Sequence, residues 1–133
     1  MIAITAGSPD TATFERLAHQ AIRHLPQVFR RHLTDVVVRV AEFADAEQLR
    51  SVGLHDPWTL SGLYHGHPVS EHSIWTSGEL PPMIWLFRRP LLREWRETGV
   101  SLDDLITHVV IHEVGHHFGF TDAQMHAIEN EAD

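Results

Sequence analysis

The residues best suited to chemistry in this 133-residue chain crowd into one short stretch. Twelve histidines are present, and four of them, His108, His112, His116 and His117, fall within ten residues. The run His112-Glu113-Val114-Gly115-His116-His117-Phe118-Gly119-Phe120-Thr121-Asp122 reads H-E-x-x-H-x-x-G-x-x-D. Histidines four apart stand one turn above each other on a helix face, so both imidazoles can reach one cation. Glu113 lies about 100° further round the helix. That offset suits a carboxylate that touches a water beside the cation better than one that ligates it. Gly119 can leave the helix in the left-handed conformation and reverse the chain, which would bring Asp122 back as a third ligand.

Two neutral imidazoles and one carboxylate leave Zn2+ with a net charge of about +1, the balance of catalytic zinc sites built from two histidines and a carboxylate. Such an ion draws the pKa of a water toward ~7. The expected metal ligands are therefore His112, His116 and Asp122, the expected general base is Glu113, and the expected reaction is zinc-assisted hydrolysis. H-E-x-x-H alone is only suggestive in a histidine-rich chain; glycine and aspartate at the two further positions make the pattern strong. Asp122 has a second reading as a helix cap or dipole partner, although Thr121 with Gln124 can cap the next helix unaided. Glu129 or Glu131 could replace Asp122 only by a tight path. Two histidines and one carboxylate also describe a facial triad for non-haem iron, but that reading leaves Glu113 without a task. His108 stands one turn before His112, where it either packs or nears a substrate. His117 is expected to pack or to face solvent, and His65, His67 and His72 share a loop that fixes no geometry.

The rest of the composition narrows the field. At 43% hydrophobic and 21% charged, the chain suits one globular domain over residues 1–133. It has no cysteine, so disulfides, Cys-based zinc sites, thiol nucleophiles and iron–sulfur clusters are excluded. All ten basic residues are arginines, which removes lysine chemistry. A net charge of −8 argues against a nucleic-acid partner. The first ten residues lack the basic region of a signal peptide, and no apolar run nears the ~20 residues of a membrane span. The expectation is a soluble cytoplasmic protein with no membrane partner.

These side chains need a scaffold. Asp10 or Thr11 can cap a helix reaching about Arg31, broken or kinked at Pro26, with Phe14, Leu17, Ala18, Ala21, Ile22 and Leu25 at helical spacing. Val36–Val40 reads as a buried strand, and a weak helix from Ala44 to Val52 ends at Gly53. Residues 53–82 hold four of the seven prolines and read as loop around a short strand at Leu60–Tyr64. Met83–Phe87 is another strand, and Pro90 opens a helix over Leu91–Thr98. Ser101, with Asp104 three residues on, caps the helix that carries the motif, whose Leu102, Leu105, Ile106, Val109, Val110 and Val114 form an apolar flank. A last short helix runs from Asp122 to Asn130. Trp75, Trp85, Trp95 and Phe87 are expected in the core. The order of elements gives an α+β domain, a small mixed β-sheet packed against helices.

The extended motif resembles that of the zincin metallopeptidases, and more narrowly a minimal bacterial, metzincin-related group whose domains end in H-E-x-x-H-h-F-G-x-x-D and a short helix. Leu60-Ser61-Gly62-Leu63-Tyr64-His65-Gly66 looks like that group's edge strand, and Leu80-Pro81-Pro82-Met83-Ile84-Trp85-Leu86-Phe87-Arg88 like its next strand. The resemblance implies zinc held by His112, His116 and Asp122, Glu113 as general base, and a peptide or protein substrate bound along the edge strand near Leu60–Tyr64. Two departures from larger metzincins stand out. The third ligand would be Asp instead of His, and the chain after Asp122 is too short for the usual C-terminal subdomain. Met125 also lies too near Asp122 for a conventional Met-turn. A non-catalytic zinc-binding interaction module, with a vestigial site, is the competing expectation.

Overall fold

The computed structural model describes residues 8–66 and 81–121, with Ala123, Gln124 and Ala127 beyond them. His67, His72, Trp75, Asp122, Met125, Glu129 and Glu131 lie outside the described residues.

Asp10 starts the first helix, its carboxylate accepting the Thr13 N–H at 2.9 Å. Helix α1 (Thr11–Arg23) buries Phe14, Leu17, Ala18 and Ala21. It stops earlier than the expected Arg31, because Pro26 cannot donate to the ladder; a single turn, α2 (Gln27–Arg30), resumes after it. Strand β1 (Val37–Ala41) starts one residue later than expected. Helix α3 (Ala46–Ser51) is shorter than the stretch from Ala44 to Val52, since Asp45 sets its start through a reciprocal cap with Gln48 at 2.7 and 2.9 Å. A 3-10 turn (Pro57–Thr59) precedes strand β2 (Gly62–His65), and strand β3 (Met83–Phe87) runs straight into helix α4 (Arg88–Thr98). Pro90 therefore does not open α4 but sits within its first turn, where a missing N–H leaves no helix bond unmade. Helix α5 (Leu102–Phe118) carries the histidine motif.

The three strands form one mixed sheet in the order β1-β3-β2. β1 and β3 are parallel, with Val38 opposite Ile84; β2 is antiparallel to β3, with Gly62 opposite Leu86 and Tyr64 opposite Ile84. The architecture is α+β, as the sequence suggested. Alternation along β3 sends Ile84 and Leu86 to the face covered by α1 and α5, where they join Phe14, Leu17, Ile106, Val110 and Val114. On the opposite face Leu63 and Phe87 meet Ala44 and Leu49 in a much smaller cluster. A fully buried aliphatic or Phe side chain contributes about 1.5–3 kcal/mol. The larger cluster therefore dominates, and it is the one that fixes α5. Phe87 is fully buried and Trp85 and Trp95 partly so, in line with the expected core.

The strand lies unusually near the helix at Gly62. A Cβ there would stand 2.5 Å from Val109 Cγ1, 3.3 Å from the Trp85 carbonyl oxygen and 3.6 Å from Glu113 Cγ. Real side chains do not approach so closely, so any larger residue must shift Val109 or lift β2. Gly62→Ala is expected to destabilise the fold by about 1–3 kcal/mol through overpacking. A lowered urea midpoint at unchanged m-value would register it; an unchanged midpoint would mean that β2 and α5 separate freely.

Candidate metal centre

Helix α5 begins and ends on specific contacts. Ser101 Oγ accepts the Asp104 N–H at 3.1 Å, forming the expected cap. At the other end Gly119 takes φ 72°, its N–H reaches the His116 carbonyl at 3.1 Å, and the Phe120 N–H reaches the Gly115 carbonyl at 2.8 Å. This pair of bonds is a Schellman turn, which satisfies otherwise orphaned carbonyls and reverses the chain. The reversal is anchored from outside the helix. Phe29 of α2 meets the rings of Phe118 and Phe120 edge-on at 5.4 and 5.8 Å, and His32 meets Phe118 at 5.9 Å.

Most of α5 is buried, including Val109, Val110, Ile111, Glu113, Val114 and His117. Asp104, His108, His112 and His116 follow one another at four-residue spacing on the stripe that retains solvent access, with His112 half-buried. The rings of His112 and His116 stand 5.0 Å apart at 63°, so the motif's two imidazoles do meet on one face. Glu113 turns away from that stripe. Its side chain is 8% exposed, its Cγ lies under the bare Cα of Gly62, and its Oε1 comes to 3.3 Å from His116 Nδ1. That approach lacks hydrogen-bond alignment, and Oε1 is buried without a hydrogen-bond partner among the described residues.

A buried carboxylate oxygen with no donor is costly and calls for a cause. Water and a cation at the histidines would supply one, and two imidazoles beside a carboxylate are donors that Zn2+ accepts. His112 and His116 could hold the ion in this arrangement. Among the described residues, no three His, Asp or Glu side chains are grouped to bind a metal. Asp122, expected as the third ligand, lies outside them. What is described is the start of the helix that follows: Thr121 N–H donates to Gln124 Oε1 at 2.8 Å, and Gln124 N–H to Thr121 Oγ1 at 3.2 Å. This is a capping box with Thr121 in the cap position, as the sequence allowed.

His117 was expected to pack or face solvent; it is fully buried and bonded. Its Nδ1 lies 2.8 Å from the Tyr64 hydroxyl and its Nε2 3.3 Å from the His32 carbonyl oxygen. A carbonyl can only accept, which makes Nε2 the protonated nitrogen and Nδ1 the acceptor of the Tyr64 proton. Burial, with a smaller contribution from the charge of Asp35, pushes the Tyr64 pKa up to about 12, so the phenol keeps that proton. Thus β2, α5 and the segment after α2 are tied by one line of hydrogen bonds beside His116. Sequence reasoning missed both this line and Gly62. A glycine inside a strand candidate was the available signal of close backbone approach.

A helix bearing H-E-x-x-H is the signature of metalloproteases. The model of one such family, described as zincin-like metallopeptidase, matches residues 33–132, and the chain belongs to that family. Membership implies zinc binding and peptidase activity. The match begins after α1 and α2, although α1 packs directly on α5. No curated protein matches the chain. No helix among the described residues is long and apolar enough to cross a membrane.

Tyr64 is the chain's one tyrosine, so tyrosinate absorbance reads it alone. In the unfolded chain it should ionise near ~10, and in the folded protein near 12. The unfolded state thus loses the proton first, and this group's contribution to stability, complete below ~10, is lost as pH rises toward 12. Titration should give one step near 12, or coincident with alkaline unfolding; a step near ~10 in folded protein would break the assignment. Tyr64→Phe removes this donor from buried His117 and is expected to cost about 1–3 kcal/mol in urea unfolding.

Proposed function

We propose that the protein is a zinc-dependent peptidase in which His112, His116 and Asp122 hold the metal and Glu113 is the general base. The observation that carries this reading is Glu113 itself, a buried carboxylate under Gly62 whose Oε1 accepts no hydrogen bond among the described residues and lies 3.3 Å from His116 Nδ1. Structural helix residues are rarely left in that condition. The capping box at Thr121 adds support, because it removes the competing task of helix cap from Asp122.

When bound, zinc supplies Lewis acidity, which brings the acidity of a water into the neutral range and polarises a carbonyl. The chain's own residues do the rest. Glu113 Oε1 accepts a proton from the attacking water, and the same carboxyl then gives it to the departing amine nitrogen. Gly62 restricts where the stem of that carboxylate can move, which keeps its Oε1 beside His116. The line from Tyr64 through His117 to the His32 carbonyl holds the last turn of α5 against β2, and so orients His116 through the backbone next to it.

The substrate in this reading is an extended peptide or protein segment. Among the described residues β2 pairs with β3 only, so it forms the sheet's edge. Strand addition there would lay a peptide beside α5, with backbone hydrogen bonds giving affinity irrespective of sequence.

Glu113→Gln keeps the shape of the side chain and removes its basicity. It should retain near-stoichiometric zinc by elemental analysis and lower peptide hydrolysis about 10²–10⁴-fold. His112→Ala and Asp122→Ala should lose or weaken zinc binding. Undiminished hydrolysis by Glu113→Gln, or full zinc content in Asp122→Ala, would overturn the assigned roles.

A further inference from the structure

Four of the chain's ten arginines lie on α4, in a protein of net charge −8. Arg88, Arg89, Arg93 and Arg96 all line a cavity of about 460 Å3, which Trp58 and Ser8 help to enclose. None of its lining residues belongs to α5, so it is separate from the histidine stripe.

The guanidiniums are unequally neutralised. Arg88 and Arg89 share one carboxylate oxygen, Glu42 Oε1, at 2.9 and 2.8 Å. Arg93 and Arg96 meet no carboxylate among the described residues. Arg93 lies 4.8 Å over the Trp58 ring and donates to the Trp58 carbonyl at 3.1 Å, while Arg96 donates to Ser8 Oγ at 3.1 Å. Those neutral partners hold the two side chains in place and leave their charge standing. Glu97 is the one acid among the cavity's lining residues. Helical spacing puts Arg89, Arg93 and Arg96 on one face. Like charges gathered and fixed around a concave surface lower the energy of an anion placed among them.

We propose that this cavity binds a small anionic ligand with a doubly charged oxygen group, held by Arg93 and Arg96. The volume falls within the roughly 300–1,000 Å3 of small-molecule sites and is too small for a folded partner. Guanidinium forks bind phosphate and paired carboxylates by the same geometry, so both sources share this chemistry. The Trp58 ring and carbonyl hold the Arg93 fork in place in advance.

Inorganic phosphate and succinate, titrated separately into the full-length isotope-labelled protein at constant ionic strength, separate the two sources. Each is followed by the NMR signals of the Trp58 indole N–H and the Arg93 and Arg96 Nε–H. A saturable shift with at least one of them, confined to these residues and absent with chloride, is expected. Phosphate alone would identify a phosphate-bearing ligand, and succinate alone a dicarboxylate. R93Q/R96Q should weaken binding about tenfold or more, whereas R39Q, an exposed arginine on β1, should leave it unchanged. Because the wild-type signals localise the site, the result does not depend on the variant folding. The proposal is overturned if neither anion gives a saturable shift, if the shifts spread over all arginines, or if R93Q/R96Q binds as wild type does.

Discussion

The contact on which the site depends is the approach of β2 to α5 at Gly62. Without a side chain there, the strand backbone rests on Val109 and on the stem of Glu113. One missing methyl group thus permits two things at once. The sheet closes over the helix, and a carboxylate is kept out of bulk water within reach of the His116 imidazole. The same strand, two residues on, sends the Tyr64 hydroxyl to His117, so Glu113 and His117 both meet a single four-residue element. Elsewhere α5 is held by interchangeable apolar packing; here the fit depends on one backbone position.

A helix buried on most of its surface is a good mount for metal ligands. Its apolar residues lock rotation about the axis, and a locked axis fixes where the remaining stripe points. His112 and His116 therefore owe their shared direction to Ile106, Val110 and Val114 as much as to their own spacing. The Schellman turn and the aromatic group of Phe29, Phe118 and Phe120 then decide where the chain goes after the helix. A third ligand drawn from beyond that turn, as proposed, would depend on α2, a one-turn helix with no polar group of its own beside the two histidines among the described residues.

Much of this was legible in the sequence because it rests on local rules. Ser101, Gly119 and the Thr121–Gln124 pair are capping signals read within a few residues, and all three formed. The paired histidines follow from helical period alone, and the β-branched run at Val37–Val40 from strand preference. What stayed hidden depends on tertiary neighbours. Nothing near His117 in the chain says that Tyr64 and the His32 carbonyl will enclose it. Element edges slipped for a related reason. The start of α3 was decided by the Asp45–Gln48 box, and that of α4 by continuation from β3, where Pro90 marked the first turn but not its first residue.

The packing of α1 against α5 also has a kinetic side. Phe14 and Leu17 emerge early in synthesis, while Val110 and Val114, with which they share a core, emerge late. β1 and β3 are likewise parallel partners with a long crossover between them. Such contacts of high sequence separation must close large loops before they give any return, which slows folding. A nascent chain would carry an apolar face on α1 with its main partner still missing, the condition in which chains aggregate or recruit chaperones. The histidine helix is thus also the piece that completes the core. The aligned pair of histidines would arise only in molecules in which this helix has docked, so a hydrolase of the proposed kind would stay inert until then.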